Sequence, residues 1–412
     1  MNIEYDDSET ARELAEETRE FVEESVLPRE REMLRNREML EEHEMDDMVD
    51  ELQKEARERG LYAPQIEEEY GGQGYDLRDV LPTFEEAGRS LLGAKALRVD
   101  APDEGNMHTL ELVGSEEQKE EWLLPLVDDE ITSGFSMTEP MQGAGSDPKM
   151  IETTAEKDGD EWVINGHKWW TTQGVEADVY LVMARTDQDA HPYQGCSIFL
   201  VPRDADGVEV VRDVPHMGDS GVSHAEMRYD NVRVPEENLL GGENAGFMVA
   251  QQRLGPARLT HCMRFSGMAD RALDIAVAYA DERHAFDEKL SEKQSLRFGV
   301  VEEKTRLHAV RTMVRHAAKE IASGNQARVE VAMSKYYAAN VAQDAIDTAV
   351  QACGGNGIGK DLPLADFYEN VRSFRIVDGA DEVHKRSIAK RVFDEENIDE
   401  SELENLTRFG EW

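Results

Sequence analysis

FSMTEPMQGAGSD (Phe135–Asp147) and INGHKWWTTQG (Ile164–Gly174) each crowd hydroxyls, small residues and a flat aromatic into a short stretch. Thr138, Ser146 and Thr172 can hydrogen-bond the edge of a planar heterocycle. Gly143 and Gly145 allow backbone N–H groups to approach such a ring closely, because no Cβ intervenes. Trp170 can cover a ring face. Either string alone is ordinary turn chemistry; the two in this order suggest a cradle for a planar, polar-edged cofactor.

Around this pair, residues 131–240 are a series of short alternating runs, among them EWVING, DVYLVMART, CSIFLVP and AEMRYDNVRV, broken by Gly, Pro, Asp and Asn. That texture predicts antiparallel strands closing into a barrel or sandwich. Residues 1–130 have helical spacing instead: Leu14, Phe21 and Val22, then Met48, Leu52 and Ala56, then Val80, Leu81 and Phe84. Trp122, Leu123 and Leu126 mark a further helix before the acidic stop at Asp128. The turn EEEYGGQGYD (Glu67–Asp76) reads as a loop between helices, since no Lys-Ser/Thr follows it and no apolar strand precedes it. Long helical patterns return over 241–393, with breaks near Phe286–Ser291, Gly324–Asn325 and Gly354–Pro363, and residues 394–412 form an acidic tail. Helices, then strands, then helices is an α+β arrangement.

The 412 residues carry 45 basic and 88 acidic side chains, a net charge of −43. Such a surface repels nucleic acid and anionic membrane, so neither is expected as a partner. With 40% hydrophobic residues in periodic segments, the chain is expected to fold. Arg outnumbers Lys about two to one and acidic residues crowd helix faces (Glu13, Glu16, Glu17, Glu20), a pattern like that of salt-adapted proteins. Cys196, Cys262 and Cys353 are widely spaced, which suggests a reducing compartment without structural zinc. No apolar run is long enough to span a membrane and the N-terminus lacks a signal or transit pattern, so a cytoplasmic location is expected. The eleven histidines include no HxxxH or HExxH, and there is no P-loop, Rossmann turn or GxSxG elbow.

Taken together, the two opening segments resemble the flavin-binding middle domain of the acyl-CoA dehydrogenases. The resemblance implies an FAD cofactor touched by Met137, Thr138, Gly145, Ser146, Trp170 and Thr172. The pair Met141-Gln142 lengthens the loop relative to the family spacing. DERHAFDEKL (Asp281–Leu290) is similar to the family's R-x-x-F segment, in which an Arg and an aromatic reach the FAD of a neighbouring subunit; here these are Arg283 and Phe286. QACGGNG (Gln351–Gly357) resembles the Q-x-x-GG-x-G turn, implicating Gln351, Gly354 and Gly355 in cofactor contact. A guanidinium and glycine-exposed amides suit a diphosphate.

FRIVDGADEVHKRSIAKR (Phe374–Arg391) matches the segment whose usual E-G-T-S-E/Q supplies the catalytic Glu, and Asp378 stands at that position. The resemblance makes Asp378 the base that removes the substrate's α-proton, with burial expected to raise its pKa. Its N–H and the flavin ribityl chain would polarise the thioester carbonyl. Asp for Glu shortens the reach by roughly 1.5 Å, a change that can cost about a hundredfold in rate if nothing compensates. Family members that take their base from a Glu before an Arg have Ala257-Arg258 as the counterpart here, and the usual Thr is Ala380. Asp381 and Glu382 are neighbouring carboxylates, and a helix cap at Asp378 is the bland alternative. Ser146, Arg258 and Gly379 are the expected substrate contacts. Together with APDEGNM (Ala101–Met107), the strings GPARLTHCMR and DGADEVH resemble a branch of the family that uses this Asp.

The resemblance thus implies a helical N-terminal domain, a β middle domain and a C-terminal four-helix bundle, assembled as a homodimer or homotetramer. It implies acyl-CoA as substrate and an electron-transfer flavoprotein as electron acceptor. An acyl-CoA oxidase, a nitroalkane-oxidase-like enzyme with its Asp base, and a non-catalytic flavoprotein share the fold and stay open as readings. Salt adaptation is testable: the thermal midpoint should fall when salt is lowered from molar to millimolar, and an unchanged midpoint would remove that reading.

Overall fold

Ser8 starts the first helix by accepting the Ala11 N–H at 2.9 Å, which satisfies one of the amides a helix start leaves open. The computed structural model describes residues 3–40, 42–141, 143–218 and 222–394; Gln142 and the acidic tail past Asp394 lie outside the described residues. Helix α1 (Glu9–Phe21) runs through a π turn (Val22–Val26) into α2 (Leu27–Asn36). Helix α3 (Glu42–Glu58) follows, with Met48, Leu52 and Ala56 buried as their spacing requires. In the next loop, Gly71 and Gly74 adopt φ of 94° and 70°, which glycine reaches without strain, and Asp76 then caps α4 (Leu77–Gly88). The shorter helices α5 (Gly93–Ala96), α6 (Asp103–Val113), α7 (Glu116–Gln118) and α8 (Leu124–Val127) complete this part.

The strands are β1 (Ser133–Ser136), β2 (Thr154–Asp158), β3 (Glu161–Thr172), β4 (Val179–Arg185), β5 (Cys196–Pro202), β6 (Val208–Asp213), β7 (His224–Pro235) and β8 (Leu239–Leu240). They form one sheet in the order β6-β7-β3-β2-β4-β5-β8, with β1 added onto β4. The sheet is not wholly antiparallel as expected: β1 pairs parallel with β4, and β2 makes one parallel bridge to it. The reason is connectivity, since β1 reaches β4 only after the β2–β3 hairpin has intervened. Strand β4 is buried on both faces. Val179, Leu181 and Met183 join the helical core, while Tyr180, Val182 and Ala184 fill a separate core against Trp162, Phe199 and Val232.

Helix α9 (Gly246–Glu282), a small hairpin of β9 (His284–Ala285) and β10 (Glu288–Lys289), α10 (Gln294–Ala322) and α11 (Arg328–Cys353) come next. A helical turn α12 (Gly355–Ile358), α13 (Leu364–Phe374) and α14 (Asp381–Val392) end the described chain. The three long helices pack together, and α13 and α14 lie against α11. The N-terminal helices share a core with this bundle.

The crossing of α4 and α9 is unusually close. A Cβ on Gly267 would sit 1.8 Å from the Glu85 carbonyl oxygen, and one on Gly88 would sit 1.9 Å from that of Arg264. Beside the crossing, buried Glu30 accepts from Arg271 (2.9 Å), from the Ser90 hydroxyl (2.7 Å) and from the Leu91 N–H (2.8 Å). Gly267→Ala should therefore push the helices apart and destabilise the fold by about 3 kcal/mol, the upper end for overpacking, read as a lower urea midpoint at unchanged m-value.

Candidate active site

The two opening segments meet around a buried ion pair. Glu139 and Lys168 side chains are 2% and 0% exposed, and their N···O distance is 3.0 Å. The carboxylate also accepts from the N–H groups of Ala144 (3.1 Å), Glu152 (2.9 Å) and Thr153 (2.9 Å), and from the Thr153 hydroxyl (2.6 Å). Burial pushes its carboxyl up, but Lys168 and these donors outweigh burial and hold it down at about 2. Lys168 further donates to the Met137 carbonyl at 2.9 Å. The Trp169 N–H donates to Thr138 O and the Glu139 N–H to Gly145 O, each at 3.0 Å. Met137, Thr138 and Gly145 are thus fixed through their backbone carbonyls, while the Thr138 hydroxyl has no hydrogen-bond partner among the described residues.

On β3 a register shift between Lys168 and Thr171 makes a bulge, and Trp170 within it has φ of 56°, a strained value for a bulky residue. Its ring is 40% exposed and sits 5.8 Å from that of His224. Gly145 also has positive φ, and nothing lies within 4 Å of where its Cβ would be. Gly143 serves a different purpose. A Cβ there would lie 2.5 Å from Glu139 Oε2, so its small size makes room for that carboxylate. Ser146 is exposed beside this loop and Thr172 is half-buried at the end of β3. An open glycine, an outward indole and available hydroxyls on a rigid base fit the edge and face of FAD.

Arg283, Phe286, Gln351, Gly354 and Gly355 form a second group, all exposed, at the far end of α9. Tyr279 joins its two halves: its carbonyl accepts the Arg283 N–H at 2.9 Å and its hydroxyl accepts from Asn356 at 3.2 Å. Phe286 is 89% exposed, and the Cβ positions of Gly354 and Gly355 are open. Among the described residues no hydrogen bond or ring contact joins this group to the cradle.

Asp378, Gly379 and Arg258 do come together. Asp378 lies in the turn between α13 and α14 with φ of 57°, a left-handed conformation that Asp tolerates better than most residues. Gly379 follows with φ of 98°, and a Cβ on it would meet His384 Nε2 at 2.9 Å. Arg258 Nε donates to the Asp378 carbonyl at 2.8 Å, and His384 Nε2 donates to the same oxygen at 3.2 Å. Buried Lys335 clamps both ends of the turn, donating to Phe374 O at 2.6 Å and Gly379 O at 2.7 Å. Burial lowers the Lys335 ammonium to about 8. The Asp378 carboxylate accepts from His261 Nδ1 at 2.5 Å through Oδ2. Among the described residues neither Oδ1 nor the Asp378 N–H has a hydrogen-bond partner.

Two expectations change here. The cap of α14 is Ala380, without a side-chain bond, so Asp378 does not cap that helix. Burial does push the Asp378 carboxyl up, but the charges of His261, Arg258 and Arg253 prevail and hold it well below the usual carboxylate range. Arg253 links this turn to the cradle side: its guanidinium lies 4.4 Å from the Phe135 ring centre and donates to Asn106 Oδ1 at 2.9 Å. Asn106 donates to the Ser133 hydroxyl, which donates to buried Asp103 at 2.5 Å. The string APDEGNM therefore ties α6 to β1 and α9.

Sequence pattern alone does not single out His261, Lys335, Arg253 or the Glu139–Lys168 pair as site residues. His261 has a usable signal, since it stands one helical turn after Arg258 and shares its face. Lys335 is a lone cation within an Ala-rich helix face. Cys262 is buried beside His261, and burial pushes its thiol up to about 12.

Three consecutive parts of the chain match domains of one family. Residues 8–130 match the acyl-CoA dehydrogenase N-terminal domain, 134–232 its middle domain and 244–393 its C-terminal domain. The chain belongs to the acyl-CoA dehydrogenase family. It is 42% identical over 355 residues to "Probable acyl-CoA dehydrogenase FadE2" of Mycobacterium tuberculosis, covering 85% of this chain and 86% of that one. It is 35% identical to mouse acyl-CoA dehydrogenase family member 10 over 98% of this chain but only 38% of that protein, so it spans well under half of that relative. Among solved structures, butyryl-CoA dehydrogenase from Megasphaera elsdenii superposes with a TM-score of 0.82 at 27% identity, covering 95% of this chain and 100% of that one. An acyl-CoA dehydrogenase from Geobacillus kaustophilus gives 0.80 at 30% identity, with 94% and 98% covered.

The hold on the turn has a pH signature. Unfolded imidazole takes up a proton near pH 6.5, whereas burial and the charges of Arg258 and Lys335 lower His384 to about 4. Between these values the unfolded chain binds the extra proton, so acidification favours unfolding. His384→Gln should flatten the loss of stability between about pH 6.5 and 4, measured as urea midpoints; His224, also lowered to about 4, leaves its share of the slope in both proteins.

Proposed function

We propose that this chain is an FAD-dependent dehydrogenase that converts an acyl-CoA thioester to its trans-2-enoyl thioester, with Asp378 as the base. The observation that carries this reading is the state of Asp378: its backbone carbonyl and Oδ2 are committed to Arg258, His384 and His261, while Oδ1 and the N–H have no partner among the described residues. A free acceptor and a free donor on one residue suit an α-proton and a thioester carbonyl. Arg258 holds the turn's backbone, and Gly379 admits His384 beneath it.

FAD, when bound, would supply the acceptor for the hydride leaving the β-carbon. Met137, Thr138, Gly145, Ser146, Trp170 and Thr172 would hold it from the cradle. The exposure of Arg283, Phe286, Gln351, Gly354 and Gly355 supports their reaching the cofactor of a neighbouring copy in a homodimer or homotetramer. Ser146 would also meet the thioester. Electron-transfer flavoprotein is the proposed acceptor. The depressed carboxyl of Asp378 is a weak base in the free enzyme, so substrate binding must exclude water and raise it. No helix of the described residues is long and apolar enough to cross a membrane; the acid-rich composition supports a salt-adapted enzyme, and three free cysteines support a reducing, cytoplasmic setting.

Anaerobic titration with a panel of acyl-CoAs tests the reading. The wild type should bleach, while Asp378→Asn should stay yellow with FAD bound and lose at least about a thousandfold in flavin reduction rate, within the range for removing a positioned base. Near-normal bleaching by that variant would sink the assignment. Oxygen uptake without any acceptor would point to an oxidase, and reduction by nitroethane but not acyl-CoA would point to nitroalkane chemistry.

A further inference from the structure

Oδ2 of Asp378 and Nδ1 of His261 are 2.5 Å apart, short even for a charge-assisted N–H···O bond. The two side chains are 12% and 9% exposed. A carboxylate only accepts, so Nδ1 carries the proton. The other ring nitrogen, Nε2, is buried without a partner.

The Asp378 carboxylate has few ways to be aimed. Its side chain is one methylene shorter than Glu, and its backbone is fixed in the left-handed region by Arg258, His384 and Lys335 acting on the turn's carbonyls. The remaining freedom is rotation about Cα–Cβ and Cβ–Cγ, which together decide where each oxygen points. The bond to His261 removes that freedom, leaving Oδ1 as the one uncommitted oxygen.

We propose that His261 is the positioning residue of the base, its Nδ1–H fixing Oδ2 of Asp378 so that Oδ1 is oriented toward the substrate α-carbon. This rests on the reading of Asp378 as the base. In the step itself the α C–H bond breaks, its electron pair stays on carbon, and its proton bonds to Oδ1. His261 keeps its own proton throughout, and no bond to it forms or breaks.

The charged surroundings define what removing the ring should do. Arg253, Arg258 and Arg264 on α9 act on the charge of Asp378, as do Lys335 on α11, His384 on α14 and the protonated Cys262, while Asp103 and Glu104 on α6, Asp100 before it and Asp381 on α14 act on these cations. These all stay when His261 is replaced. Loss of the Nδ1–H donor then raises the Asp378 carboxyl, so the acid limb of flavin reduction moves to higher pH.

The experiment compares His261→Ala, His261→Asn and His261→Gln as FAD-loaded proteins, with bound FAD absorbance as the check on folding. The Asn amide can stand where Nδ1–H stood; the Gln amide cannot. Using the acyl-CoA that bleaches the wild type fastest, Ala and Gln should slow flavin reduction about 10- to 100-fold, as misorientation does. Half-saturating substrate should change by less than about threefold and the acid limb should rise by about one pH unit. Asn should recover most of the rate and restore the limb. Without substrate, infrared difference spectra against Asp378→Asn should show the Asp378 carboxyl protonating at higher pH in His261→Ala. Slower reduction with an unmoved limb, an unmoved carboxyl titration, or Asn no better than Gln would overturn the proposal. An active Asp378→Asn would remove the base reading itself, whereas an inactive one beside an unaffected His261→Ala would remove only the role of His261.

Discussion

Helix α9 can reach Asp378 because two glycines let it lie on α4 at backbone contact. Gly267 admits the Glu85 carbonyl and Gly88 admits that of Arg264, so the crossing has no side-chain layer to slide on. Successive turns of α9 then have defined neighbours. Arg253 meets α6 through Asn106, Arg258 and His261 meet the Asp378 turn, and Arg271 meets Glu30 of α2. Changing the depth of one crossing would shift every one of these partners, which is why the helix acts as a ruler for the site.

Around that ruler the buried charges are arranged so that most have opposite partners. Glu139 is held by Lys168, Glu30 by Arg271, and Asp103 by Arg98 with Ser133 and Gln173. Such pairs are poor sources of net stability but strict about geometry, since each fails if its partner moves. The cradle and the proposed base consequently rest on separate polar frameworks, joined through Arg253, which meets Phe135 on one side and acts on the charge of Asp378 on the other.

Much of this is legible in the sequence, because it depends on local pattern. Short apolar runs bounded by turn residues mark β4 and β5, helical spacing buries Leu14, Met48 and Val80, and the glycine-rich breaks fall where the helices end. The two cradle strings read correctly as neighbours. What escapes depends on contacts between distant residues: His261 and Asp378 are 117 positions apart, and only the helical spacing of His261 from Arg258 hints at the bond. The direction of the Asp378 shift fails for the same reason. Burial alone is visible from a cleft argument, whereas the cations that reverse it belong to a helix whose rotation the chain does not declare. The parallel pairing of β1 is a matter of chain path, which alternation cannot report.

Cys262 sits beside these groups with its thiol buried and pushed up to about 12. An enoyl thioester is an electrophile at its β-carbon, and the species that would add to it is a thiolate, not a thiol. A sulfur kept protonated next to the reacting centre is inert toward such conjugate addition. The same burial that fills the core at this position would therefore guard the site against alkylation by the enoyl thioester proposed as its product.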